Sequence, residues 1–121
     1  MREECEEKLK SVHPDLVSVL CKVQETSEPF VVVRGYVDED EQAFLFSKRQ
    51  SAHRYGQSSH NQIPALGVDI QPEHWNVSDR RRMAVLLQNV LNVSKDLGVR
   101  VRVRGFSPVT GQISGHVELV L

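Results

Sequence analysis

Three polar residues stand where packing alone would not put them. His60 follows Ser58 and Ser59 in a polar stretch, Asp69 lies inside the apolar run Val68-Asp69-Ile70, and His116 opens an alternating segment beside Val117 and Leu119. Two imidazoles and a carboxylate form a ligand set that suits zinc, and three protein ligands leave a fourth position for water, as in catalytic zinc sites. Such a site makes water acidic and polarises a carbonyl, which is hydrolytic chemistry. Spacing this wide does not decide the matter. A surface histidine, a capping aspartate and a core-edge histidine explain the same three residues.

Regular elements must carry these residues. Leu16, Val19, Leu20 and Val23 recur at helical spacing after Pro14, a residue favoured in a first helical turn, and Pro29 ends that region. Cys21 lies in this helix and is expected as a core thiol. Residues 30–33 are a short β-branched apolar run closed by Gly35, hence a buried strand; residues 39–48, with Phe44 and Leu45, read as a second short helix. Residues 49–64 are polar and punctuated by Gly, Ser and Pro, so His60 is placed in a loop. Residues 67–70 form a brief strand carrying Asp69, and the chain turns around Pro72.

Ser78 is placed to cap the clearest helix, whose stripe is Met83, Leu86, Leu87, Val90, Leu91 and Leu97, with Gly98 as its stop. Residues 99–104 alternate as a strand with Arg100, Arg102 and Arg104 on an outward face, and residues 116–121 alternate again to the end. The class is α+β, a small antiparallel sheet with packed helices.

The remaining features bound the function. The 121 residues fit one domain spanning 1–121, large enough to bury a core without staples. A net charge of −1 gives no general attraction to nucleic acid, and Arg80, Arg81 and Arg82 read as a solvated helix face. Cys5 and Cys21 are too far apart to resemble a disulfide framework and read as reduced thiols. MREECEEKLK lacks the apolar region of a signal peptide, and no apolar run is long enough for membrane insertion, so a cytoplasmic protein is expected.

The stretch Ser58-Ser59-His60-Asn61-Gln62-Ile63-Pro64-Ala65-Leu66-Gly67-Val68-Asp69-Ile70 resembles the signature of the D-Ala-D-Ala carboxypeptidase and L-alanyl-D-glutamate endopeptidase family, the hedgehog/DD-peptidase fold. Its Ser-x-His-Asn form, with a Pro in the loop and nine positions from His60 to Asp69, is similar to phage-encoded members. His13-Pro14-Asp15-Leu16 looks like the family's opening helix. Val33-Arg34-Gly35-Tyr36 with Glu41-Gln42 looks like its strand and turn, and Gly115-His116-Val117-Glu118-Leu119 like its closing segment. The resemblance implies His60, Asp69 and His116 as zinc ligands and a peptidoglycan stem peptide as substrate, in a phage lysis enzyme or virion protein.

Two further family positions differ. Val37 stands where the family has its substrate-holding Arg, and Ile113 where it has its general base. No acidic residue lies between residues 98 and 117, so a register shift does not restore the base. Glu118, two positions after His116, shares its strand face and is the candidate catalytic carboxylate; a ligand-orienting role reads equally well. Arg34 and Arg49 are candidate replacements for the Arg, although each also reads as a surface residue. His53, Tyr55 and His74 are candidate cleft residues. Two functions follow: an active zinc peptidase, or a pseudoenzyme that keeps the metal and binds a peptide or protein partner without cutting it.

Overall fold

The computed structural model describes residues 3–36, 38, 40, 43–44, 47–48, 59–61, 64–76, 78–106 and 113–121. Among these residues the elements run α1 (Glu3–Leu9), α2 (Pro14–Thr26), β1 (Phe30–Arg34), a 3-10 turn (Ser59–Asn61), β2 (Gly67–Pro72), α3 (Arg80–Leu97), β3 (Val101–Phe106) and β4 (Ile113–Leu119). The four strands form one antiparallel sheet in the order β1-β2-β4-β3. The α+β class read from the sequence is the class observed.

Strand alternation gives the sheet two unlike faces. Val32, Val68, Ile70, Val117 and Leu119 are buried with Leu16, Leu20, Met83, Leu86 and Val90 of the helices in one core. A Cβ built on Gly115 would meet Met83 Sδ at 2.9 Å, and one on Gly105 would meet Leu87 Cδ1 at 3.6 Å, so these parities of β4 and β3 face α3. The opposite parities hold Asp69, His116, Glu118, Arg102 and Arg104 on the other face. A side chain at Gly115 would also strike the Ile70 carbonyl, which is how β4 lies close against β2 next to His116.

Both long helices follow their apolar stripes, with corrections. Leu16, Val19, Leu20 and Val23 are fully buried in α2, but Cys21 is exposed: it follows Leu20 by one residue, about 100° round the helix, and leaves the buried stripe. In α3 the N-cap is Asp79, whose carboxylate accepts from the Arg82 N–H at 3.2 Å. Ser78 instead bonds the Asn76 side chain through both its N–H and its hydroxyl. Gly98 closes α3 in the left-handed region, φ 70°, as expected. The stripe continues through Val93 and Ser94, while Leu97 in the last turn is left 45% exposed.

Arg80 and Arg81 are exposed, whereas Arg82 pairs with Glu28 at 3.3 Å and donates to the Glu73 carbonyl at 2.8 Å, tying α3 to the end of β2. Helix α1 was hidden in sequence by its charge; its Leu9 is buried and its Lys8 carbonyl abuts Gly35 at the end of β1. No described helix is long and apolar enough to cross a membrane. Of the expected 39–48 helix, Asp40, Ala43, Phe44 and Ser47 are helical, Lys48 lies in a turn, and the rest lies outside the described residues.

Candidate metal centre

The register of the sheet assembles the site. Asp69 in β2 pairs with Arg34 in β1 on one side and with His116 in β4 on the other, so the three side chains share the face turned away from α3. His60 arrives from the 3-10 turn Ser59–Asn61. The following chain is pinned where the Ala65 N–H donates to the Ser11 carbonyl at 2.7 Å and the Leu119 N–H to the Leu66 carbonyl at 2.7 Å. The ligand atoms of His60, Asp69 and His116 all lie within 4.8 Å of one another. The sequence pattern left these three open between metal and packing roles; the fold brings them to one point.

His60 Nδ1 lies 2.6 Å from the Gly35 carbonyl oxygen. A carbonyl only accepts, so Nδ1 carries the proton and Nε2 is turned to Asp69 Oδ1, 3.3 Å away. His116 faces a carboxylate on each side: Nε2 lies 3.4 Å from Glu118 Oε1 and Nδ1 2.9 Å from Asp69 Oδ1, so either nitrogen can donate. With the proton on Nε2, towards Glu118, the lone pairs of His60 Nε2 and His116 Nδ1 both face Asp69 Oδ1. That tautomer suits a cation held among the three atoms; with the proton on Nδ1, His116 donates to Asp69 instead. Tetrahedral zinc at about 2.1 Å from each ligand would space them about 3.4 Å apart, close to the His60–Asp69 separation and somewhat longer than the His116–Asp69 one. The donor set therefore fits zinc.

The electrostatics agree. Burial by itself would raise the Asp69 carboxyl pKa, but hydrogen bonds and charge from His116 and His60 hold it well below the usual carboxylate range. Burial would lower the His116 pKa, but its bonds to Asp69 and then Glu118 outweigh this and raise it. A protonated His116 would give Asp69 the positive charge that a bound cation supplies. The two rings meet edge to face, centroids 5.1 Å apart.

Arg34, which also read as a surface residue, is half-buried and donates from its terminal nitrogen to Asp69 Oδ2 at 3.2 Å. It thereby occupies one carboxylate oxygen and leaves Oδ1 to the imidazoles. Glu118 lies on the face of His116 as expected and contacts it as an orienting partner would. His74 is not brought to the site: it sits exposed with φ 55° beyond the far end of β2, its ring 3.7 Å from Glu73. Val37, Arg49, His53 and Tyr55 lie outside the described residues; Ile113 opens β4, and its side chain is likewise outside them. The sequence reading missed the role of the Gly35 carbonyl, which no side-chain motif signals. It also missed that the outward face of β3 is the site's own face, which only the strand register reveals.

No protein-family profile matches the chain, and no match was found among curated proteins. Among solved structures, the chain is similar to the Serratia marcescens L-Ala D-Glu endopeptidase ChiX. The TM-score is 0.75 and the sequence identity 25%, over 99% of this chain and 89% of that one. The DD-peptidase-like α+β fold implied by the sequence resemblance is the fold this chain has.

Proposed function

We propose that this chain is a zinc-dependent peptidase acting on peptidoglycan stem peptides, with the bond between L-Ala and D-Glu as its first candidate target. The observation that carries the proposal is the convergence of His60, Asp69 and His116 on one point, in a fold shared with an L-Ala D-Glu endopeptidase. When bound, zinc supplies Lewis-acid polarisation of the scissile carbonyl and acidifies a water. The chain's own groups supply the rest. The Gly35 carbonyl and Glu118 hold His60 and His116 in the metal-facing tautomers, and Arg34 restrains Asp69 through Oδ2. Glu118 is the carboxylate assigned to accept the proton from the attacking water, being on the same face of β4 as His116. The test is digestion of purified muropeptides by the zinc-loaded protein, read by mass spectrometry. Release of fragments cut at L-Ala–D-Glu is expected; intact substrate would refute the enzymatic reading.

A second reading is favoured by Val37 and Ile113, which put apolar side chains at the family's substrate-holding and general-base positions. On that reading the protein is a pseudoenzyme, a metal-bearing binding module. It predicts an inactive wild type and measurable cleavage by the Val37→Arg, Ile113→Asp double variant. The phage-type Ser-x-His-Asn loop, Ser58 to Asn61, supports a lysis or virion role under either reading, with release from the cytoplasm at lysis.

A further inference from the structure

Arg34, Asp69, His116 and Arg104 form one row across β1, β2, β4 and β3, and Gly67, Glu118 and Arg102 form the next. The metal-ligand pair is thus flanked by an arginine on each side. The two arginines are not equivalent. Arg34 is committed to Asp69, at 3.2 Å. Arg104 is exposed, and no carboxylate among the described residues pairs with it. Arg102 reaches Glu118 Oε2 only at 4.0 Å and keeps 65% of its side chain exposed. Directly paired residues have Cβ atoms about 4.5–5.5 Å apart, so the long side chains of Arg104 and Arg102 are within reach of whatever lies over His116 and Glu118. The ladder is irregular between Arg104 and Phe106, as it is between Val32 and Arg34. Such bulges bend a strand and re-aim its side chains, and they recur beside active sites.

We propose that Arg104, seconded by Arg102, forms a carboxylate-binding subsite on the β3 side of His116 and Glu118. It takes the place of the cation missing at Val37, and its ligand class is a peptide bearing free carboxylates next to the bond held at the metal centre. The guanidinium fork matches a carboxylate in two-point geometry. The net charge of −1 over the whole chain makes this local cluster of cations a directional feature and not a general basic surface. This proposal rests on the peptidase reading and says where its substrate's acid group lies.

The test is calorimetric binding to the zinc-loaded protein. The probes are a stem-peptide analogue containing L-Ala-D-Glu, N-methylated at the scissile amide to prevent cleavage, and the same analogue with its carboxylates amidated. Wild type should bind the acid form about tenfold or more tightly than the amide. Arg104→Gln should weaken binding of the acid about 10- to 100-fold while barely changing the amide, and Arg102→Gln should weaken it less. Arg81→Gln, a loss of equal charge on the exposed face of α3, should change neither. Zinc content equal to wild type in each variant confirms that the centre is intact, and Arg104→Lys should restore part of the preference. Retention of the preference in Arg104→Gln, or a loss no larger than in Arg81→Gln, overturns the subsite. Equal wild-type affinity for the two forms overturns it while sparing the peptidase reading, whereas wild-type binding of neither form overturns both.

Discussion

Replacing Glu118 by glutamine separates the two tasks assigned to that carboxylate. In the structure Glu118 Oε1 lies 3.4 Å from His116 Nε2, and its side chain is 32% exposed. Outer-shell partners of metal-bound histidines typically contribute about 10- to 100-fold in metal affinity. The long contact and the solvent access of Glu118 argue for the lower end, so about a tenfold weaker zinc affinity is expected, or about 1.4 kcal/mol. Glutamine can still accept from Nε2 through its amide oxygen, which is a further reason for a modest loss. It cannot take a proton from water. At saturating zinc, turnover should therefore remain about 10²- to 10⁴-fold below wild type, the usual worth of a general base. Competition against a chromophoric chelator gives the affinity, and muropeptide cleavage at saturating zinc gives the turnover. Wild-type turnover in zinc-saturated Glu118→Gln would remove Glu118 as the base. Unchanged affinity would remove it as the partner that orients His116.

Gly35→Ala puts a methyl group against the Lys8 backbone carbonyl, which cannot rotate away, so α1 or the end of β1 must shift. A loss of about 1–3 kcal/mol in stability by denaturant unfolding is expected, with zinc affinity reduced because the Gly35 carbonyl orients His60. A melting curve and zinc affinity equal to wild type would refute that packing. In the metal-free protein, the depressed Asp69 pKa contributes stability above its unfolded value of about 3.9, lost as pH falls. The raised His116 pKa contributes stability that is full below its unfolded value of about 6.5 and is lost as pH rises through the folded value. Unfolding free energies of the metal-free protein should thus be greatest between about pH 4 and 6.5. A maximum above pH 8 would contradict the assignment. Zinc should reverse the alkaline decline, because it replaces the proton on His116 and releases it to solvent.

The sequence was most legible where one local cause acts. Stripes at helical spacing located α2 and the middle of α3, and Gly98 marked the end of α3 because only a left-handed residue closes the helix there. The caps were harder to read. Ser78 and Asp79 are both capping residues, and Asn76 decides between them by engaging Ser78. Helix α1 has the composition of a solvated segment, and its placement comes from one buried leucine and a glycine contact across the fold. For the site, residue types and order pointed to His60, Asp69 and His116 through a family resemblance. Their convergence depends on the β2–β4 register, which no local pattern contains. Arg34, Arg102 and Arg104 show the same dependence: alternation says that they face outward, while only pairing across strands says that outward is the face of Asp69 and His116.

The central claim is that His60, Asp69 and His116 together hold one zinc ion, and the most direct measurement is metal analysis of wild type and the His60→Ala, Asp69→Ala double variant after identical zinc loading and gel filtration. The wild type should carry about one zinc per chain and the folded double variant essentially none. Full zinc occupancy in the double variant, or a wild type that stays empty at saturating zinc, would contradict it.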